Sequence, residues 1–155
     1  MMKSCFLFGH RDASEEIRPE IEAAVEWLYR EKGVMLFYVG QYGTFDRIAG
    51  AAVKALKDRC TDIELFMVIP YHPAIRSVEL PEGFEGTFYP PMENISPRYA
   101  IVRANRYMVE ISDAIICYVN HPGNTRNLLE YAGSRKAGMP EYIINLAKDR
   151  KYKEN

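Results

Sequence analysis

The sequence predicts an α/β fold in which a mainly parallel sheet carries helices on both faces. Short apolar runs alternate along the chain with segments whose apolar residues recur at helical spacing. The apolar runs are continuous, which is typical of strands buried on both faces of a parallel sheet. This alternation predicts a Rossmann-like three-layer sandwich with about five strands or slightly more. We expect a single domain over residues 1–148 and a charged tail over residues 149–155.

Apolar runs identify the strands, and the first two of them end on glycine. The predicted strands are residues 4–9, 34–40, 63–70, 113–119 and 141–146, with a short extended piece within 84–89. In such sheets ligands bind outside the carboxyl ends of the strands. Glycine lets the backbone turn sharply there or approach a bound group closely. The strand-ending glycines therefore mark a candidate ligand site.

Amphipathic segments between the strands predict four helices. Their approximate extents are residues 19–31, 45–56, 98–111 and 124–138. Thr44 is the candidate N-cap of the second helix. Gly138 is the expected end of the fourth helix, where a C-terminal glycine is common.

The composition is that of an ordinary soluble globular protein. Of its 155 residues, 48% are hydrophobic and 26% are charged, and the formal net charge is −1. This balance argues against bulk attraction to nucleic acid or to an anionic membrane. No apolar run approaches the roughly 20 residues that span a bilayer, and the N-terminus lacks a signal-peptide pattern. We expect a cytoplasmic protein with no membrane partner.

Scattered cysteines give no indication of a metal centre. The three cysteines lack metal-ligand spacing, and Cys5 and Cys117 lie within apolar runs, so both are interpreted as reduced core residues. We expect neither a metal nor a cofactor.

Glycine and polar residues follow three of the predicted strands. The candidate ligand-binding residues are Gly9, His10 and Arg11; Gly40, Gln41, Tyr42, Gly43, Thr44 and Asp46; and Asn120, Gly123, Asn124 and Thr125. Glycine turns that lead into helix N-termini suit phosphate, because free backbone N–H groups point outward there and the helix dipole favours an anion. The alternative is an ordinary glycine turn with a Thr or Asn helix cap.

Three of these side chains have a structural alternative as well as a functional one. Arg11 could hold a phosphate or carboxylate through two N–H groups, or it could pair with Asp12 or Glu15. His10 could act in acid–base chemistry, although a neutral histidine bonded to backbone is more common. Asp46 could hold a ribose hydroxyl, or it could simply favour the first turn of its helix.

Two predicted helices contribute further candidates. Asn105 lies on the apolar side of the third helix, where its amide needs a backbone or ligand partner. Its neighbour Arg106 could form a surface pair with Glu110, four residues on. Glu130, about one and a half turns into the fourth helix, is the candidate catalytic carboxylate, which could hold a ribose hydroxyl or protonate a leaving base. The alternative for Glu130 is an exposed helix glutamate.

Residues 71–97 form a long, proline-rich stretch that is uncommon inside a compact domain. We interpret it as a loop or lid over the site. Tyr71 and His72, at the end of the third strand, offer further rings of low specificity.

Four ordered segments resemble the SLOG superfamily over roughly residues 3–146. They read FLFGHR, YVGQYGTFDRIAGAAV, RANRYMVEISDAIICYV and HPGNTRNLLEYA. That superfamily gathers Rossmann-like domains related to DNA-processing protein A and to the lysine-decarboxylase-like cytokinin-activating enzymes. The resemblance implies a nucleotide or nucleotide-derivative site at the strand ends. The matching positions are Gly9, Arg11, Gly40, Gly43, Asp46, Asn105, Arg106, Met108, Gly123, Thr125 and Glu130.

One loop departs from the enzymes of that superfamily. The cytokinin-activating phosphoribohydrolases carry Pro-Gly-Gly-x-Gly-Thr-x-x-Glu, whereas HPGNTRNLLE has one glycine and places Glu130 five residues past Thr125. This departure counts against hydrolase activity and leaves phosphate binding open, because the segment still begins a helix.

The sequence leaves three functions open. The leading one is a stand-alone domain that binds a nucleotide or nucleotide-derived small molecule as a sensor or ligand-binding module. The second is a nucleotide N-glycosidic hydrolase, or a deoxyribosyltransferase-like enzyme, that uses Glu130. The third is a protein-interaction module with residues 71–97 as its docking surface. A homodimer is compatible with each function, and a nucleic-acid partner is disfavoured by the near-neutral charge.

Overall fold

A single parallel sheet of six strands forms the centre of the molecule. The computed structural model describes residues 2–92, 94–138 and 140–148, so the tail expected over 149–155 lies outside the described residues. The strands are β1 Lys3–Gly9, β2 Val34–Val39, β3 Glu64–Val68, β4 Gly86–Phe88, β5 Ala114–Tyr118 and β6 Tyr142–Asn145. Their order is β4-β3-β2-β1-β5-β6, and every neighbouring pair is parallel. The predicted α/β fold is confirmed.

Helices connect these strands on both sides of the sheet. They are α1 Arg18–Lys32, α2 Thr44–Lys57, α3 Ala100–Ile111 and α4 Asn124–Ala132. Short 3-10 turns at Glu15–Ile17 and Pro97–Tyr99 lead into α1 and α3. None of the described helices is long and apolar enough to cross a membrane.

Two predicted helix ends are wrong. The N-cap of α2 is Gly43, with a φ of +96°, and Thr44 is the first helical residue. The fourth helix ends at Ala132, with Gly133 as its C-cap, and not at Gly138. The chain leaves the α-helix at Gly133 and makes a 3-10 turn before Gly138, whose φ of +80° ends that turn.

Alternate strand residues pack into two separate cores. On one face Cys5, Leu7 and Phe37 lie in the core that also holds the apolar sides of α1 and α2. On the other face Phe6 and Phe8 lie in the core that includes residues of α3 and α4. Burial on both faces explains why the strands read as continuous apolar runs.

The strand order reverses at β1. From β1 the chain moves outward through β2 and β3 to β4, then returns to place β5 on the opposite side of β1. Such a switch point opens a crevice at the carboxyl ends of the strands, because the connections on either side lead away from each other. The sheet topology therefore places the crevice beside the polar segments that follow β1, β2 and β5.

Candidate functional site

A cavity of about 210 Å³ opens at this switch point. Phe6, Phe8 and Val68 of the sheet and Leu128 of α4 form part of its apolar lining. Its charged and polar side chains come from four different segments of the chain. They are Arg11, Tyr42, Asp46, Asn105, Arg106, Asn124, Thr125 and Asn127. We call this space the main cavity.

The structure brings most of the predicted ligand residues together around the main cavity. Those that line it are Gly9, Arg11, Gly40, Tyr42, Asp46, Asn105, Arg106, Asn124 and Thr125. Gly43 and Gly123 flank it as the N-caps of α2 and α4. His10, Gln41, Thr44 and Asn120 lie in the adjoining loops and helix start, outside the lining.

Glu130 lies away from the main cavity. An α-helix turns by about 100° per residue, so Glu130 lies on the side of α4 opposite Leu128, which lines the cavity. Its side chain is exposed. This placement matches the exposed helix glutamate and gives no support to the catalytic role.

Gly9 and Gly40 are required by the packing of α2. A Cβ atom on Gly9 would lie 2.5 Å from ring carbons of Phe45, and one on Gly40 would lie 2.6 Å from Oδ2 of Asp46. Both contacts are closer than a real Cβ allows. The two strand-ending glycines therefore allow the first turn of α2 to pack closely against the sheet. The group that approaches their backbone is thus a side chain of α2 and not a ligand.

The two helices that begin at the site have no side-chain caps. Gly43 and Gly123 occupy the N-cap positions at φ +96° and +141°, and neither can supply a capping oxygen from a side chain. The N–H of Thr44 donates to the carbonyl of Arg11 at 2.9 Å. At α4, the first-turn N–H groups of Asn124 and Thr125 have no hydrogen-bond partner in the described part of the chain. They are available to an anion in the cavity.

Arg11 makes no salt bridge with any carboxylate of the described residues. The two acids expected as alternatives have other partners. Glu15 pairs with Arg47, and Asp12 lies 3.8 Å from Nε2 of His121. Arg11 therefore lines the cavity near Asp46 without an ion pair among the described residues.

Arg106 also lacks the ion pair that its spacing suggests. Glu110 instead lies 3.7 Å from Arg103 and accepts a hydrogen bond of 2.5 Å from the hydroxyl of Tyr131. Arg106 packs over the ring of Tyr131 at 4.8 Å and lines the main cavity. The cavity therefore contains two arginines without a salt bridge among the described residues.

Asp46 lines the main cavity with a carboxyl group whose pKa is strongly shifted. Burial raises the pKa of its carboxyl to about 7, while the N–H of Tyr42 and the charge of Arg11 act in the opposite direction. The Tyr42 N–H donates to Oδ2 at 3.0 Å. Near neutral pH this carboxyl is therefore protonated in part of the molecules and can donate or accept a proton in the cavity.

Asp46→Asn is expected to remove a pH dependence of stability between pH about 4 and about 7. In that window folded Asp46 retains a proton that the unfolded chain releases near the ordinary value of 3.8. The free energy of unfolding of the wild type therefore falls as the pH rises through the window, by an amount on the order of 4 kcal/mol, and stays lower above it.

Urea unfolding of both proteins from pH 4 to pH 8 measures this effect. Subtracting the two curves cancels the contribution of His10 to the free energy of unfolding, which is present in both proteins. The lowered pKa of His10 makes that contribution more stabilising at the higher pH. A difference between the two proteins that does not vary with pH would contradict the raised pKa of Asp46.

His10 joins the ends of β1 and β5. Its buried ring accepts the N–H of Asn120 at Nε2 over 3.1 Å and stacks on His121 with centroids 3.5 Å apart. Burial and the neighbouring His121 lower the pKa of His10, which favours the neutral ring that accepts this hydrogen bond. The contact matches the interpretation of a neutral histidine bonded to backbone.

Asn127 is a polar residue of the cavity that the sequence interpretation missed. It lies three residues after Asn124, and that spacing places both on one side of α4. The helical spacing of α4 was therefore the signal in the sequence that indicates Asn127.

Comparisons with protein-family models and with curated proteins give no match to this chain. The resemblance to the SLOG superfamily therefore remains a prediction from four short segments. Within the described residues, no three or more His, Cys, Asp or Glu side chains are placed to hold a metal ion.

Proposed function

We propose that this protein binds a nucleotide or a nucleotide-derived small molecule in the main cavity, as a sensor or ligand-binding module. The observation that carries the proposal is the convergence of Arg11, Arg106 and the uncapped N-terminus of α4 on one space. Guanidinium groups and free helix N–H groups are both suited to phosphate oxygens. A cytoplasmic location and a homodimer remain predictions from the sequence.

The other polar groups of the cavity are suited to a sugar. Asn105, Thr125 and Asn127 combine donors and acceptors, as hydroxyl groups require. Asp46 adds a carboxyl that can exchange a proton near neutral pH. The apolar floor formed by Phe6 and Phe8 excludes water from one side of such a ligand. A phosphate joined to a ribose satisfies both sets of groups.

A thermal-shift panel tests the proposal. Purified protein is heated with nucleoside mono-, di- and triphosphates, NAD, ADP-ribose and cyclic nucleotides, with the matching nucleosides as controls without phosphate. A ligand at about 100 times its Kd stabilises the folded state by roughly 2.7 kcal/mol, which is a readily measured shift. We expect at least one phosphorylated compound to raise Tm and its nucleoside to do so less. No shift across the panel with folded protein would refute the proposal.

A second candidate function is a nucleotide N-glycosidic hydrolase or glycosyl transferase, and Asp46 is the observation that favours it. A carboxyl with a pKa of about 7 in a ligand cavity is matched to proton transfer at neutral pH. Glu130, the carboxylate predicted from the sequence, does not line the cavity.

Chromatography of the panel mixtures separates the sensor from the enzyme. Release of free base would establish turnover. Asp46→Asn should then stop the release while binding is retained, and Glu130→Gln should leave the rate unchanged. Intact nucleotide after prolonged incubation would exclude hydrolysis of the compounds in the panel.

A further inference from the structure

A second cavity, of about 220 Å³, adjoins the main cavity. Its lining residues are Gln41, Tyr42, Tyr71, Arg76, Ser77 and Val78, and Tyr42 is common to both cavities. We infer that the second cavity receives the planar base of a ligand whose phosphate lies in the main cavity. This inference rests on the proposed function and assigns the two parts of the ligand to separate groups of residues.

Size supports a ligand that occupies both spaces. Small-molecule sites commonly enclose about 300–1,000 Å³. The main cavity measures about 210 Å³ and the second about 220 Å³, so each is smaller than a typical complete site. A nucleotide is made of two such parts, a ribose phosphate and a base, and Tyr42 lies where the cavities meet.

Tyr71 and Arg76 provide a flat surface in the second cavity. The guanidinium of Arg76 lies 4.0 Å from the centroid of the Tyr71 ring. The Tyr71 hydroxyl donates to the carbonyl of Pro97 at 3.1 Å, which holds the ring in place. Aromatic rings and arginine planes are the surfaces on which proteins stack nucleic-acid bases.

Local hydrogen bonds hold Arg76 in position. The carbonyl of His72 accepts the N–H groups of Ile75 and Arg76 at 2.8 and 3.1 Å. Its ring Nδ1 accepts the N–H of Ala74 at 3.0 Å. Residues 71–78 therefore turn back over Tyr71 and form a wall of the second cavity. They belong to the stretch that the sequence analysis interprets as a loop over the site.

Gln41 supplies the group that could read the edge of a base. Its Nε2 donates to the Tyr42 hydroxyl at 3.3 Å, and its Oε1 accepts no hydrogen bond from the described residues. A side-chain amide pairs with an edge that presents a donor beside an acceptor, as adenine does. Stacking and amide pairing together favour an aromatic heterocycle over a second phosphate or an aliphatic group.

The order of the strands supports placing the phosphate in the main cavity and the base in the second cavity. Of the phosphate-binding groups, Arg11 follows β1, the N-terminus of α4 follows β5 and Arg106 lies on α3, which leads into β5. Gln41 follows β2 and Tyr71 follows β3. A ligand with its phosphate at the switch point then extends along the carboxyl ends of β2 and β3. This is the direction in which doubly wound sheets have room for the remainder of a nucleotide.

Calorimetric titration tests the inference with five defined probes, namely ribose 5-phosphate and the monophosphates of adenosine, guanosine, cytidine and uridine. We expect at least one nucleotide to bind more tightly than ribose 5-phosphate. Tyr71→Ala should lower the affinity for that nucleotide by roughly 5- to 150-fold, as loss of base stacking does. The affinity for ribose 5-phosphate should be unchanged, and Tyr71→Phe should retain most of the nucleotide affinity.

Tyr99→Ala is the matched control. Arg98 lies 5.0 Å over the ring of Tyr99, so this pair resembles Tyr71 with Arg76, but neither Arg98 nor Tyr99 lines the main cavity or the second cavity. The control should bind all five probes as the wild type does, and melting curves establish that every variant is folded.

The outcomes separate the inference from the function on which it rests. If ribose 5-phosphate binds and no nucleotide binds more tightly, the base site is refuted while phosphate binding stands. An equal loss of affinity for the sugar phosphate and the nucleotide in Tyr71→Ala would refute it as well. If none of the five probes binds at millimolar concentration, the proposed function fails for these ligands and the inference fails with it.

Discussion

Arg11→Ala is expected to weaken the binding of a phosphorylated ligand by roughly 10- to 150-fold, the value of one lost hydrogen-bonding interaction with a charged group. Arg11 lines the main cavity and has no salt bridge to a described carboxylate that would compete with a phosphate. Its side chain is exposed, so the free energy of unfolding without ligand should change by no more than about 0.5 kcal/mol. Calorimetry with a ligand identified in the panel measures the first quantity, and urea unfolding measures the second.

Arg59→Ala provides the matched control for this experiment. Arg59 is an exposed arginine that pairs with Glu26 at 2.9 Å and lines neither cavity. The Arg59→Ala substitution removes the same charge from the protein as Arg11→Ala, so a general electrostatic effect on binding would appear in both variants. Equal affinities in Arg11→Ala and Arg59→Ala would place the phosphate elsewhere.

Gly9→Ala is expected to lower the free energy of unfolding by about 1–3 kcal/mol, as overpacking of a core does. The added Cβ would lie 2.5 Å from the ring of Phe45, and that ring is fully buried between α2 and the sheet. Relief requires a shift of α2, which also carries Asp46 at the cavity. Urea unfolding should show a lower midpoint with an unchanged m-value.

Gly133→Ala tests whether the loss arises from the close contact or from the loss of any glycine. A Cβ at Gly133 would meet its nearest atom, the carbonyl oxygen of Glu130, at 3.7 Å, and its φ of −82° suits any residue. This variant should unfold near the wild-type midpoint. If both variants unfold at one midpoint, the packing of α2 against Gly9 is not the reason for glycine there.

Local patterns were sufficient to predict the main strands and helices. A buried parallel strand needs a continuous apolar run and a helix needs apolar residues at helical spacing, and both patterns lie within one short segment. The edge strand β4 was the weaker case, because Gly86–Phe88 is short and only partly buried. Its pairing with Phe66–Val68 of β3, about twenty residues earlier in the chain, makes it a strand.

The residues of the candidate site also fall into those that local patterns predicted and those that depend on the packing of the folded chain. Arg11, Asp46 and Thr125 were predicted because each follows the end of a strand, and the ends of parallel strands meet at one edge. The outward direction of Glu130 and the inward direction of Asn127 were not predicted, because they depend on how α4 rotates against the sheet. The pKa of Asp46 near 7 depends in the same way on burial that no single segment provides.

The α/β class, the alternation of elements and the strand ends at which polar residues collect could be predicted from local patterns, because each is a property of neighbours along the chain. Other features became visible only in the folded chain: Gly9 and Gly40 admit α2, Arg11 and Arg106 have no salt bridge among the described residues, and Tyr42 lies between two cavities. Burial, charge pairing and cavity shape arise from contacts between segments that are distant in sequence. Each such contact depends on the order of the strands and the packing of the helices.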